Sequence, residues 1–245
     1  MAIQKCIPHS AKILPAPQTY TLRPMLSPWL RHFAKRALGK PSVPPPVRGV
    51  ADAAWYDAAY TAIDSYHEPF VQSHYYSLWC VIADRIRRDG LKRVIDIGCG
   101  PGQFASCLFT MADIDSYIGL DFSPKAIEIA RKACPQGSFV VDDATSTRLQ
   151  RDTPHDVVVC TEVLEHVPND AGVIGQFQPG VRALCTVPNF PYDSHVRHFT
   201  SVDQVRERYA PFFDRFDVWP VFRWYAPNHI YYLMDGIRNQ TGART

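Results

Sequence analysis

The first fifty residues contain no acidic side chain, and the whole chain lacks paired-cysteine spacings, long apolar runs and internal repeats. Each absence excludes something. No apolar run reaches the roughly 18 to 20 residues needed to span a bilayer, and no charged-then-apolar leader opens the chain, so a soluble protein is expected. The seven cysteines (Cys6, Cys80, Cys99, Cys107, Cys134, Cys160 and Cys185) are odd in number and scattered. They form no Cys-x-x-Cys knuckle and no disulfide framework, and read as small buried side chains of a cytoplasmic protein.

Prolines are plentiful where acids are missing. Residues 1–50 carry eight Lys or Arg and end in Pro41 and Pro44 to Pro46, which reads as a basic, extended arm. With those eight set aside, the 26 bases of the chain fall to 18 against 24 acids, so the arm precedes a mildly acidic domain. Within it, Ser27-Pro28 opens a short amphipathic helix through Trp29, Phe33 and Leu38. That helix would pack on the protein's own body or, through its basic edges, lie on an anionic membrane surface. An organellar transit segment is the third expectation for the arm.

Residues 51–90 read as helical. Tyr75, Leu78, Trp79, Ile82 and Ile86 recur on one face, and Gly90 closes the run. Tyr56, Tyr60, Tyr66, Tyr75, Tyr76 and Trp79, with His67 and His74, make this stretch denser in aromatic groups than a core requires. A lid over a ligand is expected from it.

From residue 91 short apolar strands alternate with helices, the pattern of an open, mostly parallel sheet covered on both faces. Strands are expected at Val94 to Ile97, Tyr117 to Asp121, Ser138 to Val141, Asp156 to Cys160 and Val181 to Val187, with two more near Phe213 to Val218 and His229 to Leu233. Helices are expected over Gln103 to Met111, from Ser123-Pro124 to Ala133, and from a Ser201 cap to Tyr209. Residues 91–236 form one domain in this reading, and 237–245 a tail.

The centre of the pattern is Val94-Ile-Asp-Ile-Gly-Cys-Gly-Pro-Gly102. A buried strand ends in a Gly-x-Gly-x-Gly turn, which leaves room beside the backbone for an adenosine compound. Acids close the first three strands: Asp96, Asp121 and Asp143. Asp121 is placed for two ribose hydroxyls and Asp143 for an adenine amino group. Three acids sit badly with a pyrophosphate and well with a sulfonium and an ammonium, so the charges favour S-adenosylmethionine over NAD.

On these residues the chain resembles the class I S-adenosylmethionine-dependent methyltransferases. Asp96 to Gly102 is similar to the family's first motif, Gly119-Leu-Asp-Phe-Ser123 to its second, Asp143-Ala144 to its third, and Glu162-Val-Leu-Glu-His-Val167 to its post-strand-four motif. The resemblance implies a Rossmann-like seven-stranded sheet with an antiparallel last strand and helices on both faces, preceded by a helical extension. It also implies a cofactor site: Asp96 and the glycines Gly98, Gly100 and Gly102 around the methionine portion, Asp121 at the ribose, Asp142 or Asp143 at the adenine and Phe122 near the base, with Cys99, Ala144 and Thr161 completing the set.

For the chemistry, a helix starting after the fourth strand would put Glu162, Glu165 and His166 on one face. The fifth strand would bring His195 and His198 to the same edge. His166, His195 and Glu162 are the expected catalytic residues, with an imidazole as base. If a metal is present, Glu162, Glu165, His166 and His195 would hold Mg²⁺ or Mn²⁺. The Glu-x-x-Glu-His element is similar to that of ubiquinone-pathway O-methyltransferases and small-RNA 3′-terminal methyltransferases, both metal-associated. Arg197 has two readings: a hold on an anionic acceptor, or a pin for the loop before Ser201. The expected activity is O-methylation of a phenolic, quinone-precursor or sugar acceptor. The alternatives are an RNA methyltransferase, disfavoured because the acidic domain has no basic stripe, and a non-catalytic cofactor-binding partner protein.

Overall fold

The computed structural model describes residues 42–45, 47–223 and 226–240. The arm up to residue 41, with the expected helix from Trp29 to Leu38, and residues 241–245 of the expected tail lie outside the described residues. Seven strands form one sheet in the order β3-β2-β1-β4-β5-β7-β6. They are β1 (Arg93–Ile97), β2 (Ser116–Asp121), β3 (Ser138–Val141), β4 (Val157–Cys160), β5 (Arg182–Pro188), β6 (Phe213–Arg223) and β7 (Ala226–Arg238). The first five pair in parallel, and β7 inserts between β5 and β6 antiparallel to both, so β7 alone runs against the rest. The strand order reverses between β1 and β4, which opens a crevice at their carboxyl ends where open α/β sheets bind ligands.

Alternation along the strands supplies two cores. Ile95 and Ile97 face a cluster with Leu120, Val158 and Val173, covered by α6 (Asp170–Gly175) and α7 (Val202–Tyr209). Val94 faces the opposite cluster with Leu108, Ile127 and Leu184, covered by α2 (Tyr76–Arg88), α3 (Gln103–Met111) and α4 (Pro124–Ala133). Each large apolar side chain buried in these layers contributes about 1.5–3 kcal/mol of transfer free energy. Caps set the helix starts: Ser123 Oγ accepts from Ala126 N at 3.0 Å, with Pro124 following, and Asp52 Oδ1 accepts from Trp55 N at 2.8 Å to open α1 (Ala53–Ala62).

Three expectations are corrected here. Residues 51–90 are two helices separated by short 3₁₀ turns at Asp64–His67 and Phe70–Gln72, because Pro69 interrupts the run. Of the two helices, α2 belongs to the core: Leu78, Ile82, Ala83 and Ile86 are fully buried. No helix starts after β4, since residues 161–169 form turns and α5 (Leu149–Asp152) and α6 flank them. And β7 continues past Gly236, with Arg238 and Asn239 buried. The Arg238 guanidinium donates to the carbonyls of Ile174 and Phe212, which hold the strand end down.

Among the described residues no helix is long and apolar enough to cross a membrane, and six cysteines are free thiols.

Candidate active site

The glycine turn after β1 is compact because two of its residues have no alternative. Gly98 has φ +71°, and a Cβ there would lie 2.2 Å from Val163 Cγ2. Gly102 has φ +79°, and a Cβ would lie 3.0 Å from the Ala130 Cα. Gly102 faces neither of the two cavities described next. It serves the close packing of α3 on α4 and not, as expected, the cofactor wall.

Two cavities meet above the turn, one of about 470 Å³ and one of about 210 Å³. Asp96, Gly98, Cys99, Gly100 and Thr161 line the larger. Asp121, Phe122, Asp142, Asp143 and Ala144 line the smaller. Tyr56, Tyr60, Gly98, Glu162 and His166 line both and form the partition. Apart from Gly98 and Gly102, the cofactor residues expected from the sequence thus fall into two groups, on either side of a wall that carries Glu162 and His166, while the third expected catalytic residue, His195, lines only the larger cavity.

Asp96 is 1% exposed, in the middle of the sheet. Its Oδ2 accepts from the Tyr117 hydroxyl at 2.5 Å, and its Oδ1 is buried without a partner. Burial pushes its pKa up to about 7, the Tyr117 bond opposes this, and the Asp121 charge adds to it. A buried carboxylate oxygen aimed at a cavity calls for a cation, which suits an ammonium group. Asp121 Oδ2 accepts from Gly100 N at 3.0 Å and its Oδ1 from Ser123 N at 2.9 Å. Burial raises its pKa to about 6 against these two amides. Each carboxylate oxygen retains a lone pair for a ribose diol. Asp142 uses both oxygens on its own loop, accepting from Asp143 N and Thr147 Oγ1. Asp143 uses only Oδ1, on Thr145. Asp143 is therefore the better acceptor for an adenine amino group. Phe122 packs edge-on against Tyr56 of α1, with ring centroids 5.2 Å apart. A turn with glycine at 98 and 100, an orphaned acid and a diol-sized carboxylate together fit S-adenosylmethionine.

After β4 the backbone bends sharply. Glu162 has φ +56°, the left-handed region that a glutamate occupies at a cost of about 1–3 kcal/mol. Thr186 of β5 holds it there: Glu162 N donates to Thr186 Oγ1 at 3.0 Å, and that hydroxyl donates to Glu162 Oε1 at 2.9 Å. The bend, rather than a helical face, brings Glu162, Glu165 and His166 together. Burial raises Glu162 to about 7. Burial and the Glu162 charge raise Glu165, fully buried, well above the carboxylate range.

The same burial holds His166 neutral, here by lowering its pKa. Burial, and then His195, lower its pKa to about 4. Its Nδ1 lies 3.0 Å from the Ser194 carbonyl, which places the proton on Nδ1 and the lone pair on Nε2, 3.8 Å from Glu165 Oε1. His195 meets it edge-on with ring centroids 4.8 Å apart, its Nδ1 3.2 Å from the Phe190 carbonyl. Glu165, His166 and His195 each offer a ligand atom within 4.8 Å of the others; Glu162, expected in the same set, stands outside that group. Arg197 donates to the carbonyls of Leu164, Val167 and Pro168 and lies 3.4 Å from Asp170. It pins the turn and does not face the cavity.

Sequence reasoning missed Tyr117, Thr186 and Asp57. Asp57 Oδ1 accepts from Ser123 Oγ at 2.5 Å and Lys125 N at 3.0 Å, tying α1 to the start of α4. The aromatic density of residues 51–90 was the signal for the lid: Tyr56, Tyr60, Tyr66, Tyr75, Trp79 and His74 line the larger cavity, whereas Tyr76 and His67 do not.

Sheet order, crevice and acids define a Rossmann-like fold of the methyltransferase type. Residues 94–178 match the methyltransferase domain family. Over 88 residues the chain is 38% identical to a ubiquinone biosynthesis O-methyltransferase of Shewanella halifaxensis (strain HAW-EB4), covering 34% of this chain and 36% of that one. Over 111 residues it is 31% identical to a trans-aconitate 2-methyltransferase of Rhizobium etli, covering 43% of each. Both matches span well under half of the relative's length. Among solved structures it is similar to magnesium protoporphyrin IX methyltransferase from Synechocystis PCC 6803 with bound SAM, at TM-score 0.53 and 14% identity, over 78% of this chain and 99% of that one. Residues 94–178 are a class I S-adenosylmethionine-dependent methyltransferase domain.

Proposed function

We propose that the chain transfers a methyl group from S-adenosylmethionine to an oxygen of a small acceptor held in the larger cavity. The observation that carries this is the partition: Glu162 and His166 stand where the two cavities meet, and His166 is held neutral with Nε2 unprotonated. When bound, the cofactor supplies an electrophilic methyl group. Asp96 would hold its ammonium, Asp121 its ribose and Asp143 its base.

Displacement at a sulfonium needs contact and alignment first, and a hydroxyl acceptor also needs its proton removed. His166 Nε2 takes that proton as the acceptor oxygen takes the methyl group, and the Glu165 carboxyl, 3.8 Å from Nε2, stands beside the imidazolium that forms. O-methylation also agrees with the names of the two relatives. The test is methyl transfer to phenolic, sugar, carboxylic-acid and RNA acceptors, with His166→Gln as control. Transfer unaffected by that substitution removes the base, and transfer to RNA alone replaces the acceptor class.

A second reading rests on the Glu165, His166 and His195 cluster. Mg²⁺ or Mn²⁺ bound there would displace the Glu165 proton and orient the acceptor oxygen. Loss of activity in EDTA, with recovery on adding either ion, selects this reading over the metal-free base. For the basic arm we propose attachment to anionic membrane surfaces. Identical vesicle cosedimentation with and without residues 1–50 counts against it.

A further inference from the structure

The larger cavity extends beyond the reacting groups to a wall that nothing above assigns. Arg223, at the end of β6, His229, on β7, and His74, ahead of α2, line it together with Phe190 and Tyr231. Arg223 Nη1 lies 3.4 Å from His229 Nδ1, and the His229 ring stacks on Phe190 with centroids 4.4 Å apart and planes at 27°. Burial, and then the Arg223 charge, lower the His74 pKa to about 4, so that ring is neutral beside the guanidinium. The same charge opposes the burial-driven rise of the Glu162 pKa, and Glu162 lines the same cavity. One permanent cation therefore stands across an aromatic-walled space from the proton-accepting end.

Resting on the methyl-transfer reading, we propose that Arg223, flanked by His74 and His229, is an acceptor-carboxylate subsite, and that the acceptor is a flat hydroxylated ring bearing a carboxylate. The geometry asks for both features. The stacked Phe190–His229 pair and Tyr231 offer faces to a ring. The guanidinium fork matches a carboxylate, and the His74 and His229 imidazoles beside it offer further hydrogen bonds. A carboxylate is favoured over a phosphate because, among the described residues, one arginine lines this cavity, and the Glu162 carboxyl in the same cavity disfavours a second negative charge. The subsite would fix the ring's orientation, so that its hydroxyl rather than its carboxylate meets the methyl group.

The test is binding, separate from turnover. Affinities of 4-hydroxyphenylacetate, 2-(4-hydroxyphenyl)ethanol and 4-hydroxyphenyl phosphate are measured by calorimetry on the full chain, with and without S-adenosylhomocysteine. The acetate should bind at least about tenfold more tightly than the alcohol. Arg223→Met should abolish that preference and Arg223→Lys keep part of it, with S-adenosylhomocysteine affinity unchanged in both. Equal affinities for acetate and alcohol, absence of acetate binding, or a preference that survives Arg223→Met overturns the subsite; tighter binding of the phosphate overturns the carboxylate assignment. A protein that fails to bind S-adenosylhomocysteine sinks the transferase reading instead, while the acetate-over-alcohol preference still decides the subsite.

Discussion

The Tyr117 hydroxyl donates to Asp96 Oδ2 at 2.5 Å while the second oxygen of the same carboxylate is buried without a partner. Tyr117 holds one oxygen of the acid and leaves the other short of a donor, in a residue that lines the larger cavity. Without a ligand this is an unfavourable arrangement, and its relief is available as binding free energy.

The pH dependence of stability follows from the Asp96 pKa, raised by burial from about 3.8 to about 7. The folded state then binds a proton that the unfolded state has lost, so the contribution of this group is fully present below pH 4 and declines as pH rises toward 7. The ligand-free protein should lose thermal stability across that window, and Asp96→Asn should flatten the loss. Cofactor affinity should move the other way, rising through pH 7 as the carboxylate ionises. In Asp96→Asn it should fall about 10- to 100-fold by calorimetry with S-adenosylhomocysteine, the range for a hydrogen bond to a charged group.

His166→Gln should lower transfer by about 10²–10⁴, the span of general-base catalysis. Stopped assays carried from pH 8 down to about pH 4 should show the wild type losing activity near the acid end as the imidazole protonates, and the variant without that limb.

Relieving the bend after β4 should trade function for stability. Glu162→Gly suits φ +56° without strain and removes a buried acid, so the melting temperature should rise, by about 1 kcal/mol of stability. Transfer should fall at least tenfold. Thr186→Val, which deletes both bonds to Glu162, should lower transfer with no gain in stability.

The tie between α1 and α4 is testable by proteolysis. Asp57→Ala leaves Ser123 Oγ and Lys125 N without their partner, a cost of about 1 kcal/mol. Residues 51–63 should be cut sooner in that variant, and S-adenosylhomocysteine should protect them less than in the wild type.

The sheet was legible in the chain because each element has a local cause. Ser123 and Ser201 cap their helices, the strands are short apolar runs, and acids mark the strand ends that face the crevice. Three features were not. The cluster of Glu162, Glu165 and His166 depends on a left-handed glutamate held by a threonine one strand away, and periodicity carries no trace of such a bend. Arg197 sits among histidines in the sequence, yet the carbonyls it pins belong to the preceding turn. Arg223, 61 positions beyond Glu162, faces the same cavity only because β7 folds back between β5 and β6.

The partition of Tyr56, Tyr60, Gly98, Glu162 and His166 has a kinetic meaning. Two of its five members ride on α1, so the seating of that helix completes both compartments at once. The adenosine side is the one α1 is tied over, whereas the acceptor side also opens toward Tyr192 and His229. Turnover should therefore be ordered, with the cofactor first in and its spent form last out. Product inhibition by S-adenosylhomocysteine should be competitive with S-adenosylmethionine and noncompetitive with the acceptor, so traffic through the enzyme is set by a helix that takes no part in the displacement.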